Sequence, residues 1–284
     1  MNLFRKLTSV ILALGAAACI SGCSNGGKPG NIGDVVLTAG DTIAEITIED
    51  YGVIKAKLFP DIAPNGVENF VKLAKAGYYD GLKIHRVVAD CCIQGGSLNG
   101  DGTGGKPAIN EGLPLEAEVS ENARNFYGAL GYPDTSGNIA TQFYIVNCKK
   151  VQDMSGYDAA KMKEKAAEYT AMLETMSEED PDRAKVSAME SYYNNMAGMF
   201  EKATEDVSAK YATTGGYPFW DGNYTIFGQV YEGLDVVDKI SAVKLTTSNT
   251  GEVSSPVDDI IITSVRISEY VPPEPESSSS SKKK

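Results

Sequence analysis

Residues 82–105 constrain this chain more than any other part of its sequence. They place Arg86 and Gln94 on either side of a short, mainly apolar run and then enter a glycine-rich loop that ends at Gly105. Alternate residues of a strand share a face, and a bulge or a turn can restore the phase between strands. Both polar side chains can therefore face one groove, and this arrangement suits a site that holds a peptide backbone.

Composition excludes several classes of function. The sequence has 284 residues, of which 42% are hydrophobic, enough for one domain with an insertion or for two small domains. His85 is the only histidine, which excludes catalysis by paired histidines; we interpret it as structural, held beside Arg86 by buried hydrogen bonds. The formal net charge of -12, with no concentrated basic patch, argues against nucleic-acid binding.

The N-terminal residues have the parts of an export signal. Arg5 and Lys6 supply a charged start, and residues 7–19 form an apolar run that is too short to span a bilayer comfortably. The following Ile-Ser-Gly-Cys resembles the lipobox of bacterial lipoproteins, which predicts a signal peptide over residues 1–22 and a lipid on Cys23. An uncleaved anchor and an ordinary secretory signal remain as alternatives. The lipoprotein interpretation predicts a protein anchored to the outer face of the cytoplasmic membrane, or on the periplasmic side.

Three cysteines, Cys91, Cys92 and Cys148, remain after the signal and the lipidated residue are set aside. This odd number argues against a disulfide framework, and no pair has the Cys-x-x-Cys spacing of a zinc site. The simplest interpretation is that all three are small, buried, apolar residues.

Changes in composition divide the chain into segments. A segment rich in Gly, Asn and Ser predicts a flexible tether over residues 23–40. A strand-rich body follows over residues 41–148 and 219–270. Between its two parts, residues 149–218 are rich in Ala, Lys, Glu and Met and predict an inserted α-helical hairpin. Pro, Glu and Ser predict a disordered tail over residues 271–284.

Local patterns within the body predict a mainly β fold. Alternation over residues 44–49 and 54–58 predicts a β-hairpin, and Pro64 begins a helix that Gly77 ends in the C′ position. Many short strands joined by glycine-rich turns favour a closed or nearly closed antiparallel sheet.

Eight short blocks of sequence, in order along the chain, carry a family resemblance. They are Val67–Leu73, Gly77–Leu82, His85–Val88, Ile93–Gly96, Gly102–Gly105, Gln142–Ile145, Phe227–Val230 and Gly233–Val237. Together they resemble the cyclophilin-type peptidyl-prolyl isomerases. The resemblance implies a cyclophilin-like eight-stranded antiparallel β-barrel with two capping helices and a proline-containing peptide bound in an external groove, with no cofactor and no metal.

The resemblance also implies roles for particular residues. Arg86 matches the catalytic arginine of the family. The residues that it implies for substrate binding are Gln94, Cys91, Cys92, Phe143, Tyr144, Trp220 and Tyr224. For Arg86 the residues alone would also fit an exposed position or one half of an ion pair, and for Tyr144, Trp220 and Tyr224 they would fit ordinary packing.

The chemistry of prolyl isomerisation explains why an arginine is needed. Partial double-bond character gives the X-Pro amide a barrier of about 18–20 kcal/mol. A guanidinium that donates a hydrogen bond toward the proline nitrogen stabilises the twisted amide more than the planar one. Arg86 stays protonated, so no titrating base is required.

Two departures from the family pattern leave two functions open. Cys91 and Cys92 stand where the family commonly has Phe and Met, and Leu130–Asp134 also differs from the family. The first hypothesis is an isomerase that acts on exported proteins and assists their folding. The alternative is a catalytically weak peptide-binding or chaperone scaffold that uses the helical insertion for partner recognition.

Overall fold

The computed structural model describes residues 35–133 and 139–273. The predicted signal peptide, Cys23, most of the tether and most of the tail lie outside these ranges. Within them, no helix is both long enough and apolar enough to cross a membrane. Two residues of the predicted tether contact the body, because the backbone N–H of Gly40 donates to Tyr270 and the carbonyl of Val36 accepts from Lys57.

The described chain contains ten strands and five α-helices. The strands are β1 Thr42–Ile48, β2 Gly52–Leu58, β3 Ile84–Val88, β4 Cys92–Gly95, β5 Ala129–Gly131, β6 Phe143–Val146, β7 Ile226–Glu232, β8 Leu245–Thr247, β9 Val253–Pro256 and β10 Ile262–Glu269. The helices are α1 Pro64–Lys75, α2 Ala159–Thr175, α3 Arg183–Glu201, α4 Glu205–Thr214 and α5 Leu234–Ser241.

Eight of these strands form one curled antiparallel sheet in the order β10-β1-β2-β7-β5-β6-β4-β3, while β8 and β9 form a separate hairpin. The two edges of the sheet meet where the amide of Ile84 donates to Ile260 at 2.9 Å and the amide of Ile262 donates to Leu82 at 2.8 Å. Helices α1 and α5 pack against the sheet. This architecture confirms the predicted mainly β fold class, an eight-stranded antiparallel barrel with two helices and a helical insertion.

The first hairpin follows the predicted alternation. Ile46 in β1 and Ile54 in β2 are paired and buried, while Lys55 and Lys57 point away from the core and form ion pairs. One face of the hairpin therefore packs in the barrel and the other contacts water.

Helix α1 begins and ends as its sequence predicts. Pro64 occupies the first turn, where a backbone N–H is not needed, and the carboxylate of Glu118 accepts from the amides of Asn65 and Gly66 at 3.1 and 2.8 Å. At the other end Gly77 has φ 70°, and the amide of Tyr78 donates to the carbonyl of Leu73. This conformation and this hydrogen bond belong to a Schellman motif, which ends the helix.

The interior of the barrel is filled with aromatic rings. Phe70 of α1 lies 5.1 Å from Tyr79, 5.9 Å from Phe143 and 5.1 Å from Phe227, measured between ring centroids. All four side chains are fully buried. Because α1 supplies the central ring, the helix is fixed over one end of the barrel.

The helical insertion contains three helices where the sequence predicted two. Helices α2 and α3 pack against each other, and the second predicted run is interrupted between Glu201 and Glu205. The hydroxyl of Thr204 accepts from the amide of Val207 and so caps α4. No proline or glycine marks this break in the sequence.

A buried polar network joins the insertion to the barrel. The Asp221 carboxylate, which is 1% exposed, accepts from the amide of Asn125 at 2.8 Å and from the Tyr211 hydroxyl of α4 at 2.8 and 2.9 Å. Arg124 pairs with Asp221 at 3.3 Å and also donates to the carbonyl of Met199 in α3 at 3.1 Å. These bonds fix both α3 and α4 relative to the barrel.

Candidate functional site

Strand register brings the key polar residues into one row. Arg86 on β3 pairs with Gln94 on β4, and Gln94 pairs with Tyr144 on β6. A register shift between Ile84 and Arg86 sets the phase of β3. The three side chains therefore share one face of the sheet, as alternation with a bulge allows.

A cavity of about 680 Å³ lies over this face. Six of the sequence-predicted site residues line it: Arg86, Cys92, Gln94, Tyr144, Trp220 and Tyr224. Most of the predicted site residues therefore line one cavity.

Phe143 and Cys91 lie elsewhere, which corrects two of the predicted substrate-binding residues. Phe143 is fully buried and packs against Phe70 and Tyr79 in the barrel interior, because neighbouring residues of β6 point to opposite faces and Tyr144 takes the outer one. Cys91 is 6% exposed and does not line the cavity; it belongs to an apolar cluster with Cys92 and Tyr144.

The Arg86 guanidinium is held by a carboxylate that no sequence pattern singled out. Its Nε donates to Glu252 Oε2 at 2.7 Å and its Nη2 donates to Glu252 Oε1 at 3.0 Å. Glu252 lies in the loop between β8 and β9, 166 residues away in sequence. The side chains are 14% and 29% exposed, so the pair is mostly shielded from water. Arg86 is thus both a cavity residue and one half of an ion pair.

The pair shifts the pKa of both partners toward the charged forms. Burial alone would lower the pKa of Arg86, but its hydrogen bonds to Glu252 more than offset this and raise the pKa above its ordinary value. Burial would likewise raise the pKa of Glu252, but Arg86 holds it below its ordinary value. The arginine is charged at every physiological pH.

The third nitrogen of Arg86 begins a chain of hydrogen bonds along the groove. Nη1 lies 3.4 Å from Gln94 Oε1, Gln94 Nε2 donates to Gln142 Oε1 at 2.9 Å, and Gln142 Nε2 donates to the carbonyl of Gly102 at 2.9 Å. The chain fixes which end of each amide faces the groove. Gln142 stands two residues before Tyr144 and so shares its face, a signal that could have identified it from the sequence.

An aromatic cluster lines the cavity beside these amides. The ring of Tyr144 lies 5.1 Å from Trp220 and 5.8 Å from Tyr224, and Trp220 lies 5.1 Å from Tyr224. The Tyr144 hydroxyl donates to Asn125 at 2.6 Å, which connects it to the network around Asp221. Gly131 makes room for this ring, because a Cβ there would lie 2.6 Å from Tyr144 Cζ. The cluster is a dry surface on which an apolar ring can pack.

The three cysteines within the described residues, Cys91, Cys92 and Cys148, are buried, as predicted from the sequence. Cys92 Sγ lies 3.6 Å from Arg86 Nη1. A hydrogen bond from Cys91 and the charge of Arg86 lower the pKa of Cys92, although burial opposes them. The small thiol leaves space beside the guanidinium.

His85 also lines the cavity, but the predicted hydrogen bonds are not present. The residue is 9% exposed, and neither ring nitrogen makes a hydrogen bond with another described residue. Burial, followed by the charge of Arg86, lowers the pKa of His85 to about 4. The ring is therefore neutral at physiological pH. In residues 35–133 and 139–273, no group of three or more His, Cys, Asp or Glu side chains could hold a metal ion.

Comparison with known proteins identifies the family. The family described as "Cyclophilin type peptidyl-prolyl cis-trans isomerase/CLD" matches residues 43–267. This chain belongs to the cyclophilin-type isomerases. A curated protein of Staphylococcus saprophyticus, named "Putative peptidyl-prolyl cis-trans isomerase", is 33% identical to this cyclophilin over 234 residues, which cover 81% of this chain and 94% of that one. The protein of the same name from Staphylococcus aureus strain USA300 is 32% identical over 219 residues, which cover 77% and 88%.

Solved structures show the same fold. A Cryptosporidium parvum cyclophilin type isomerase, crystallised in the presence of the dipeptide Ala-Pro, superposes with a TM-score of 0.50 at 19% identity and covers 80% of this chain and 98% of its own. The same protein without the dipeptide gives a TM-score of 0.51 at 18% identity. The neighbours share the fold, and the family match makes this cyclophilin a peptidyl-prolyl cis-trans isomerase by family.

Proposed function

We propose that this cyclophilin isomerises X-Pro bonds of exported proteins and assists their folding outside the cytoplasmic membrane. The observation that carries the proposal for the site is the convergence of Arg86, Gln94 and the aromatic cluster of Tyr144, Trp220 and Tyr224 on one cavity. The cavity holds an apolar surface for a pyrrolidine ring and polar groups for the backbone on either side of it.

Arg86 is the catalytic residue of this proposal. Glu252 takes the Nε and Nη2 edge of the guanidinium, which leaves Nη1 directed along the row toward Gln94. A donor fixed in this way can meet the lone pair that develops on the proline nitrogen as the amide twists. Because the planar amide has no such lone pair, the interaction favours the transition state over the ground state.

Gln94 and the aromatic cluster have positioning roles. Gln94 is held between Arg86 and Gln142, so its amide presents a fixed orientation to the backbone of a bound peptide. The rings hold the proline itself. With both ends of the bond held, rotation about it becomes an intramolecular step between bound conformations.

The location of the protein is the second part of the proposal. It rests on the predicted signal peptide over residues 1–22 and on Cys23, which would carry a lipid and anchor the protein on the outer face of the membrane. A predicted tether over residues 23–40 would separate the lipid from the body formed by residues 41–148 and 219–270. Metabolic labelling with palmitate tests this: the wild type is expected to incorporate label and Cys23→Ser to lose it. Label in both proteins would contradict the assignment of Cys23.

The enzymatic part is tested by direct isomerisation of a proline tetrapeptide, measured by NMR exchange. We expect Arg86→Ala to lower kcat/KM by at least tenfold, since it removes the donor to the twisted amide. The matched control is Arg266→Ala, which removes an exposed arginine of β10 that pairs with Asp80. We expect that variant to match the wild type.

One observation favours the alternative, a peptide-binding scaffold with little catalysis. Glu252 already accepts from two nitrogens of the Arg86 guanidinium, and the small Cys92 offers less apolar surface than a larger side chain would. The same experiment separates the two functions. Equal rates for the wild type and Arg86→Ala, together with unchanged peptide binding, would leave the scaffold function and remove the enzymatic one.

A further inference from the structure

The helical insertion supplies part of the cavity wall. Six side chains of its helices α2 and α3 line the cavity together with Arg86 and Tyr144: Met162 and Lys165 from α2, and Met189, Tyr192, Tyr193 and Met196 from α3. The α3 residues are spaced by three or four positions, so they form one stripe along that helix. The cavity over the proposed proline site therefore continues between the barrel and the insertion.

This wall is fixed in place. The hydroxyl of Tyr192 donates to the carbonyl of Phe219 at 2.8 Å, immediately before Trp220. Gly222 lets α3 approach closely, because a Cβ there would lie 2.7 Å from the carbonyl oxygen of Asn195. Together with the network around Asp221, these contacts mean that the wall does not depend on a bound peptide to form.

The chemistry of the wall is that of an adaptable apolar surface. Methionine is flexible and polarizable and fits side chains of different shape. Met162 and Tyr193 are only half-buried, and Tyr193 is held by stacking on Tyr169 at 5.7 Å with an interplanar angle of 15°. The wall therefore offers accessible apolar area at a position that does not need to reorganise.

The size of the cavity leaves room for more than one residue of a bound peptide. A volume of about 680 Å³ lies in the range of cavities that enclose a drug-sized molecule. A single pyrrolidine ring fills a small part of such a space. A peptide that places its proline beside Arg86 therefore has room to lay a neighbouring side chain against the insertion.

We propose that the wall formed by Met162, Met189, Tyr193 and Met196 is a second subsite, which selects substrates with an aliphatic or aromatic side chain close to the isomerised proline. This inference rests on the proposed function, since it assigns the substrate class of the same cavity. The occupant is an apolar side chain of the same extended peptide.

A peptide scan tests the proposal. The host peptide has one proline with three serines before it and three serines after it. In six further peptides, leucine replaces one of these serines at a time. One position is expected to give a kcat/KM about tenfold above that of the all-serine peptide, the range that one apolar group provides in an enzyme pocket. Equal values at all six positions would overturn the proposal.

Variants assign the preference to the insertion. Met162→Gln keeps a helix-forming residue of similar length, and Tyr193→Gln keeps a helix-forming residue. Met162→Gln alone and the double variant Met162→Gln with Tyr193→Gln are both expected to bring the leucine-to-serine ratio of kcat/KM close to one. The matched control is Met172→Gln, the same substitution on the same helix at a half-buried position that does not line the cavity. A ratio that persists in the single and double variants would place the preference elsewhere and contradict the proposal.

Binding separates this inference from the proposed function. Trp220 is the only tryptophan in the sequence and lines the cavity, so its fluorescence reports peptide binding without turnover. If no peptide is isomerised, the proposed function fails, but tighter binding of one leucine peptide, lost in Met162→Gln, would still support the subsite. Equal dissociation constants for the leucine and serine peptides would overturn the subsite even if isomerisation is observed.

Discussion

The contact between Glu252 and Arg86 makes a quantitative prediction about catalysis. Two charge-assisted hydrogen bonds at 2.7 and 3.0 Å fix the plane of the guanidinium. Hydrogen bonds to charged groups contribute about 1.5–3 kcal/mol. The Glu252 side chain is 29% exposed, so water offsets part of this. We take about 1.4 kcal/mol as the transition-state stabilisation lost when Arg86 is no longer oriented in Glu252→Ala. This loss corresponds to a tenfold decrease in kcat/KM.

The decrease should appear mainly in kcat, because the guanidinium acts on the twisted amide and contributes little to binding of the planar one. Glu252→Gln keeps one acceptor and should lie between the wild type and Glu252→Ala. The assay is NMR exchange on a proline tetrapeptide. Asp259→Asn is the matched control, since it changes a carboxylate that pairs with Lys83 in an exposed position.

The pair also sets the expected pH dependence. Because the pKa of Glu252 is held below its ordinary value, the carboxylate keeps its charge until the pH falls through that lowered value. Isomerisation should therefore be constant from about pH 8 to 5. If Glu252→Ala matched or exceeded the wild-type kcat, then Glu252 would restrain Arg86 instead of orienting it, and the reasoning would be refuted.

Three further predictions concern stability and pocket shape. Buried His85 has a pKa of about 4, whereas an exposed histidine has a pKa of about 6.5. Because the unfolded state therefore binds a proton first, the free energy of unfolding should fall by about 3 kcal/mol as the pH falls from 6.5 to 4. Chemical denaturation of the wild type and of His85→Asn at both pH values measures this loss. Gly131→Ala should push the Tyr144 ring into the cavity, cost about 1–3 kcal/mol of stability and weaken peptide binding measured by tryptophan fluorescence. Asp221→Ala leaves Arg124 buried and unpaired, so urea denaturation should show a loss of about 3–5 kcal/mol, and a loss below 1 kcal/mol would contradict this role.

The elements that the sequence predicted are those with local signals. Alternation identified β1 and β2, and the proline and glycine around α1 marked both of its ends. The break between α3 and α4 was missed, because Thr204 caps α4 and no glycine or proline stands between Glu201 and Glu205. A capped break is stable relative to a continuous helix when tertiary contacts, such as the hydrogen bond between Tyr211 and Asp221, stabilise the interrupted form.

The candidate site was predictable mainly where the family resemblance marks it. Arg86 and Gln94 stood out by their spacing around an apolar run, whereas the resemblance supplied the roles of Tyr144, Trp220 and Tyr224. Phe143 was assigned to the groove with Tyr144, although the alternation of a strand places only one of two adjacent residues there. Glu252 could not be found, because a loop residue that contacts a strand 166 positions away leaves no periodic pattern.

Other residues of the cavity supply apolar area that the small side chains of Cys91 and Cys92 do not provide. Cys91 lies behind the cavity wall, so only the thiol of Cys92 replaces a larger side chain at the surface of the cavity. On the barrel side, Trp220 packs against Tyr144, Tyr217 and Tyr224 and so widens the aromatic surface. On the insertion side, methionine and tyrosine side chains add a wall that a bare barrel would lack. The free energy gained by removing apolar area from water is roughly proportional to that area. Contacts with this wall can therefore offset the area lost at Cys92, but only for a peptide that carries an apolar side chain near its proline. From this geometry we expect weak selection for proline itself and strong selection for its neighbour.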